Sequence, residues 1–587
     1  MMRTTRGARV AALLLGASLV AAACGSDTKK ADTTTTAAAS GGATTTAAAG
    51  GGSTTAAPTT AAAPTTVAIK SGGTLTVGAE QEPDCMDWIG SCGGSSWGYW
   101  MGNVNTMPRA FTTVKENGVW TPKASEYLAG EPTVVASPKQ VVTYKISPKA
   151  VWSTGDPVIS SDFKYTWEQI AGPDAKDIYD ASGYNKIESV DASKPDTAVV
   201  TFKEPYAGWK GLFGGGFGIL PSKILTGKDR SAEMKDGYTW SAGPFKIEKW
   251  EKGVSITLVP NDKYPGDKPK LAKVVFKFLA DTAAEFQAYK AGEVDMIYPQ
   301  PQIAVVDAIK AGVDGNSAFT GETGNVEALW INNSKAPFDD VNVRQALAYA
   351  IDRDAIVNRL FGPLGVTKAV QSFNPPILAK FAGTDFSVYK KDLAKVDELM
   401  KKAGYAKGGD GIYAKGGVKA AFALRTTAGN KRRELTQEVL IAQLKEAGFE
   451  MTTDNAKAGD LFGKIAPSGD YQVALYAQVA TFVDPGLSNI FLSENIPSDA
   501  NKNSGQNWQR VNVAAVDPLL KTVDTEVDET KRIAASKAAD KLLAENAVSI
   551  PLDPLPNILL WSKKVAGSVS DNPVLGPWWN LNTIGAG

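Results

Sequence analysis

The chain has 587 residues, 43% hydrophobic and 21% charged, with 62 Lys plus Arg against 62 Asp plus Glu, three cysteines and no histidine. A balanced surface argues against nucleic acid as a partner. The want of histidine removes Ser-His and Cys-His dyads, His-rich zinc sites and histidine haem ligation together.

Arg3, Arg6 and Arg9 precede an apolar or small-residue run from Val10 to Ala23, which reads as a secretory signal over residues 1–23. The run is shorter than the ~20 residues a spanning helix needs. Cys24 follows directly, and the segment resembles a bacterial lipoprotein signal, although Ala21 stands where leucine is usual. That resemblance implies a chain lipidated at Cys24 and held at the outer face of the cytoplasmic membrane, with plain secretion as the alternative. Residues 24–71 are mostly Thr, Ala, Gly and Ser with no aromatic residue. Such a segment cannot bury enough apolar surface to order itself, so a disordered tether with a reach of roughly 35 Å is expected. About 520 residues remain, more than one ordinary core holds, so at least two lobes are expected.

Cys85 and Cys92 are left to each other, and in an exported chain they read as a disulfide worth roughly 2–3 kcal/mol. Alternating apolar and polar residues predict strands at Gly73–Gly78, Val141–Ile146, Thr197–Phe202, Ser255–Val259 and Lys273–Leu279. Helices are predicted at Thr282–Ala291, Asp392–Ala403 and Glu434–Ala447, each closing on Ala-Gly, at Gly292, Gly404 and Gly448. Leu393, Val396, Leu399 and Met400 share one face of the second helix; Leu435, Val439, Leu440 and Leu444 share one of the third. Helix-to-strand units of this kind imply an α/β layer in the second half.

The segment Val151-Trp152-Ser153-Thr154-Gly155-Asp156-Pro157-Val158, with Ser161-Asp162-Phe163-Lys164-Tyr165-Thr166-Trp167-Glu168 after it, resembles the hallmark of the peptide and nickel type extracellular solute-binding proteins, family 5. Further blocks follow in the family's order: Gly243 to Trp250, Val259 to Tyr264, Ala291 to Asp295, Trp330 to Asn333, Pro337 to Leu347 and Ala350 to Arg353. The resemblance implies an α/β, periplasmic-binding-protein-like fold of the large type II class: two lobes on a hinge and an extra β-rich subdomain in lobe one. It implies lobe one over residues 72–297, its subdomain over about 105–240, lobe two over 298–554 and a return to lobe one over 555–587. Function would be that of the substrate-binding component of an ABC importer, a monomer with no cofactor, no metal and no catalysis, handing an oligopeptide or peptide-like solute to permease subunits. An oligosaccharide or a metal chelate is the alternative within the fold.

Peptide-binding members hold the ligand's amino group with an aspartate in Trp-x-x-Asp, just upstream of an acidic-Pro pair. Counting back from Asp484-Pro485 puts Thr481 at the aspartate position and Gln478 at the tryptophan position. A threonine cannot give the charge-assisted bond of a carboxylate. The candidate binding set is Trp97, Tyr99, Trp100, Arg425, Tyr476, Gln478, Thr481, Phe482 and Asp484. The resemblance implies that the three aromatics form the lobe-one wall and that Arg425, seven residues before Arg432-Arg433, receives a carboxylate. Asp340 and Asp354 read as helix caps and Arg344 as an internal ion-pair partner. Gly211 to Gly218 reads as a flexible loop. An alternative from another class is an exported serine hydrolase, on the Ser161-x-x-Lys164 spacing with Ser570-Asp571-Asn572; the third motif, Lys-Thr-Gly, is absent, and Ser161 also reads as a helix cap.

Overall fold

The computed structural model describes residues 69–313, 315–320 and 323–587. The signal peptide, Cys24 and the tether as far as residue 68 lie outside the described residues.

All five predicted strands form, at Thr74–Ala79, Val141–Lys145, Thr197–Phe202, Ser255–Pro260 and Lys273–Phe278. Four sheets matter for the cleft. The first lobe is built on seven strands in the order Asn316–Thr320, Asn557–Trp561, Met296–Ile297, Thr74–Ala79, Lys273–Phe278, Ser255–Pro260, Phe245–Glu251. Thr74–Ala79 lies at its centre, parallel to Lys273–Phe278 and to Met296. The second lobe has five strands in the order Glu450–Thr453, Ala421–Arg425, Val473–Val479, Asn325–Ile331, Ile550–Asp553. A four-stranded antiparallel sheet, Thr133–Val135, Val141–Lys145, Thr197–Phe202 and Ile187–Lys194, and the hairpin Phe111–Glu116 with Val119–Ala124 form the extra β-rich subdomain.

Sheet membership locates the crossings. The chain leaves the first sheet after Thr320 and enters the second at Asn325; it returns between Asp553 and Asn557. The lobe bounds implied by the resemblance, 298 and 554, compare with a first crossing between Thr320 and Asn325 and a second between Asp553 and Asn557. The two connections lie side by side, with Thr323 Oγ1 donating to Pro554 O at 2.6 Å and Asn325 Nδ2 to Asn557 Oδ1 at 3.0 Å. Two adjacent short connections between lobes make a hinge.

Helices Thr282–Lys290, Leu393–Lys402 and Lys431–Ala447 end as the sequence predicts, with Gly292, Gly404 and Gly448 at φ +74°, +84° and +96°. Their apolar faces pack inward at Val396, Leu399, Met400, Leu440 and Leu444; Leu393 stays at the surface. Asp340 caps Val341–Ala350 by accepting from Asn342 N. Three local readings are corrected. Helix Arg353–Phe361 is capped by Asp352, which accepts from Ala355 N, because the helix starts two residues earlier than the spacing suggested; Asp354 instead accepts from Ala369 N and pairs with Lys368. Helix Ser160–Ala171 likewise begins before Ser161, and the Asp162 carboxylate takes the N–H of Ile159. Arg344 donates to the carbonyls of Phe338 and Asn546 and has no carboxylate within ion-pair distance among the described residues. Burial lowers its pKa to about 10, against the pull of Asp340 and Asp339.

Gly448 turns the chain from helix to strand where a Cβ would fall 2.8 Å from the Tyr413 ring. Gly448→Ala is expected to lower the unfolding free energy by roughly 1–2 kcal/mol, the cost of a side chain in the left-handed region, read as a lower denaturation midpoint in urea.

Candidate ligand-binding cleft

A cavity of about 280 Å³ lies between the lobes, at the lower edge of the ~300–1,000 Å³ typical of small-ligand sites. Its lobe-one wall starts from helix Ser96–Gly98, which passes through a π-helical turn, Tyr99–Asn103, into Val104–Thr106. Such turns recur at functional sites because they re-aim side chains without breaking the helix. Here the segment carries Trp97, Tyr99 and Trp100 to the cavity. Gly98 lets it settle on Trp88, since a Cβ there would fall 2.3 Å from the indole. Trp88 in turn sits in the loop closed by the disulfide between Cys85 and Cys92, whose Cα atoms are 5.9 Å apart.

Eight of the nine candidate residues line the cavity; Arg425 does not. Trp97 and Trp100 are buried and pack edge-on, centroids 5.8 Å apart, with Tyr298 5.5 Å from Trp100 and Trp578 6.0 Å from Trp97. Tyr99 Oη donates to Gly215 O at 2.8 Å. From lobe two, Tyr476 stacks on Trp330 at 5.3 Å, and Gln478 Nε2 donates to Gln506 Oε1 at 3.4 Å. Thr481 is exposed beside Gly215 and Gly216, and Phe482 lies over Gly211, where a Cβ would come within 2.9 Å of its ring. The glycine-rich stretch is thus a wall shaped to face lobe two. Asp484 accepts from Arg532 Nη2 at 2.6 Å, and burial pushes its carboxyl up. Arg425, at the end of its strand, is held by Asp454 Oδ2 at 2.7 Å and Asp470 O at 2.6 Å. Ser161 lies outside the cavity, and Lys164 approaches Glu168 at 3.8 Å.

Behind the cavity floor, a buried polar chain joins the lobes. Glu80 accepts from Gln300 N and Nε2 at 2.9 and 3.0 Å. Gln300 Oε1 accepts from Arg432 Nε and Nη2, both at 3.2 Å. Arg432 and Arg433 converge on Glu327 at 3.2 and 2.7 Å, all three with side chains no more than 6% exposed. Burial pushes Glu327 up, but the two guanidinium charges more than offset it and hold the carboxyl below its usual range. Glu80 and Asp553 are each raised to about 7, chiefly by burial.

Opposite the hinge the lobes touch. Lys502 Nζ donates to Pro173 O and Ala175 O at 3.0 and 2.7 Å, Gly505 N to Tyr179 O at 3.2 Å, and Gln506 Nε2 to Asp180 Oδ2 at 2.8 Å. The Tyr179 ring meets Trp508 at 5.9 Å. Asp180, Tyr179, Tyr206, Gln300, Gln506 and Trp508 all line the cavity and none was singled out from sequence, since no local pattern marks an isolated loop residue as facing a distant lobe. Among the described residues no cluster of three or more Cys, Asp or Glu could hold a metal ion.

Two α/β lobes, two adjacent crossings and an aromatic cavity between them define a cleft-type binding protein. The sequence pattern of the bacterial extracellular solute-binding proteins, family 5 (middle), matches residues 124–496, and the chain belongs to that family. It is 26% identical over 456 residues to the probable D,D-dipeptide-binding periplasmic protein DdpA of Escherichia coli K12, covering 75% of this chain and 81% of that one. To the oligopeptide-binding protein OppA of Bacillus subtilis it is 26% identical, covering 70% and 76%. The fold is similar to that of the oligopeptide-binding protein AppA of Bacillus subtilis in complex with a nonapeptide, at TM-score 0.78 and 21% identity over 88% of this chain and all of that one.

Near the cavity, burial raises Asp524 to about 7 despite the bond it accepts from Ser488 Oγ. A carboxyl raised on folding contributes stability below its unfolded pKa near 4 and loses it as pH rises through about 7. Asp524→Asn removes that loss, so the melting temperature of the variant minus wild type should grow by several degrees between pH 5 and pH 8, read by scanning calorimetry.

Proposed function

We propose that the chain is the extracytoplasmic receptor of an ATP-driven importer, which encloses a peptide-like solute between its lobes and passes it to a membrane permease without catalysis. The observation that carries this reading is the cavity between the lobes: aromatic rings and neutral amides from both lobes line one space, and hydrogen bonds run from lobe to lobe beside it. Rings offer large contact area to side chains, and amides satisfy peptide N–H and C=O groups. Family membership and the peptide-binding relatives support the same reading.

In this reading the lobes are residues 72–320 with 557–587, and 325–553. The solute contacts Trp97, Tyr99, Trp100, Tyr476, Gln478, Thr481, Phe482 and Asp484; Arg425 stays with Asp454. Cys24 carries the lipid and the tether gives reach, so that a monomer samples solute yet remains within range of its permease. A solute that contacts both lobes binds the closed state better than the open one, and that difference alone drives closure.

Native mass spectrometry of protein purified without denaturation should find a peptide or peptide-like mass bound. After removal under denaturing conditions and refolding, adding the solute at about 100 times its Kd should stabilise the protein by ~2.7 kcal/mol without turnover. A bound sugar or chelate, or hydrolysis of the solute, would contradict the proposal.

A further inference from the structure

Asp180 is a carboxylate inside the cavity with no cation of its own. It is 6% exposed, and among the described residues no Lys or Arg nitrogen lies within 4 Å of it. Its hydrogen bonds come from two neutral donors, Ser182 N to Oδ1 at 2.9 Å and Gln506 Nε2 to Oδ2 at 2.8 Å. The amide orientation of Gln506 is fixed because its Oε1 accepts from Gln478 Nε2 and Tyr179 Oη, both at 3.4 Å. A carboxylate has about four lone-pair sites, so Asp180 retains room for another donor.

Surroundings point to what that donor is. A buried charge is costly unless paired, and among the described residues no cation pairs this one. The other acid of the cavity, Asp484, is occupied by Arg532. Around the half-buried Tyr206, desolvation pushes the hydroxyl's pKa well up, and Asp524, Asp484 and Asp180 add to it while Arg532 opposes. Tyr179, Tyr184 and Tyr206 line the same cavity, and aromatic faces favour a cation. Thr481, at the position where the family resemblance would put an aspartate, can supply none of this.

We propose that Asp180, from lobe one, is the anchor for the amino group of the solute, in place of a lobe-two carboxylate at position 481. The assignment rests on the peptide reading above and adds a chemical class to it: the solute carries a free ammonium. It also ties recognition to closure, since the carboxylate that receives the ammonium is the one that Gln506 reaches from lobe two.

The test uses solute-free protein, an equimolar mixture of tri- to pentapeptides, and the same mixture N-acetylated, with retained masses read by native mass spectrometry. Wild type should retain free-amine members over their acetylated forms by about tenfold or more, as expected of a charge-assisted bond. Asp180→Asn should bring that preference close to unity, while Asp180→Glu, which keeps the charge at the same place in the wall, should retain a preference for the free amine. Equal retention of both mixtures by wild type, or an undiminished preference in Asp180→Asn, overturns the assignment alone. Retention of neither mixture by wild type overturns the peptide reading and the assignment with it. If Asp180→Asn fails to fold, Asp180→Ser takes its place: loss of the preference supports the assignment and an undiminished preference overturns it.

Discussion

Glu327 keeps two adjacent arginines inside the protein, and the arrangement of the lobes follows from that pairing. Three charged side chains are out of water together, a state that is tolerable only because each has its partner in place. Arg433 is satisfied within lobe two, by Glu327 and by Thr427 Oγ1 at 2.8 Å. Arg432 reaches past Glu327 to Gln300, and Gln300 continues to Glu80, the residue that follows strand Thr74–Ala79 of the first sheet. This buried chain lies beside the two covalent crossings and gives the hinge a fixed polar centre.

With the hinge fixed at one side, the far rims are free to part or meet. The contacts across that rim are one lysine on two carbonyls, one backbone bond, one amide on Asp180, one tyrosine hydroxyl on Gln506 and one ring pair. Hydrogen bonds of that kind contribute roughly 1 kcal/mol each, net of the bonds to water that they replace. A solute held by both aromatic walls can therefore decide between open and closed. The disulfide and the π-helical turn serve the same end, presenting the Trp97 to Trp100 wall as a preformed surface.

Much of the fold was legible. Strands with one buried face alternate and were read correctly, as were the helices closing on Gly292, Gly404 and Gly448, because both signals are local. The strand Asn325–Ile331 was not read as one: it is buried throughout and carries Glu327, so it shows no alternation to detect. In Asp352-Arg353-Asp354 two carboxylates compete to cap one helix, and sequence alone chose the wrong one. The family resemblance pointed to Trp97, Tyr99 and Trp100 and to residues of the Tyr476 to Asp484 segment, and the structure brings these to the cavity. Asp180 with Gln506, and Glu327 with Arg433, are pairs 326 and 106 residues apart, brought together only by tertiary structure. Arg425 matched a spacing, but Asp454, a neighbour only across the parallel strands, had the stronger hold on it.

The most direct measurement is small-angle X-ray scattering of the protein stripped of its solute and then reloaded with it. Closure about the Glu327 hinge predicts a larger radius of gyration for the stripped protein and a smaller one on reloading. An identical radius of gyration in both states, with solute bound in one, would contradict a cleft that closes on its ligand.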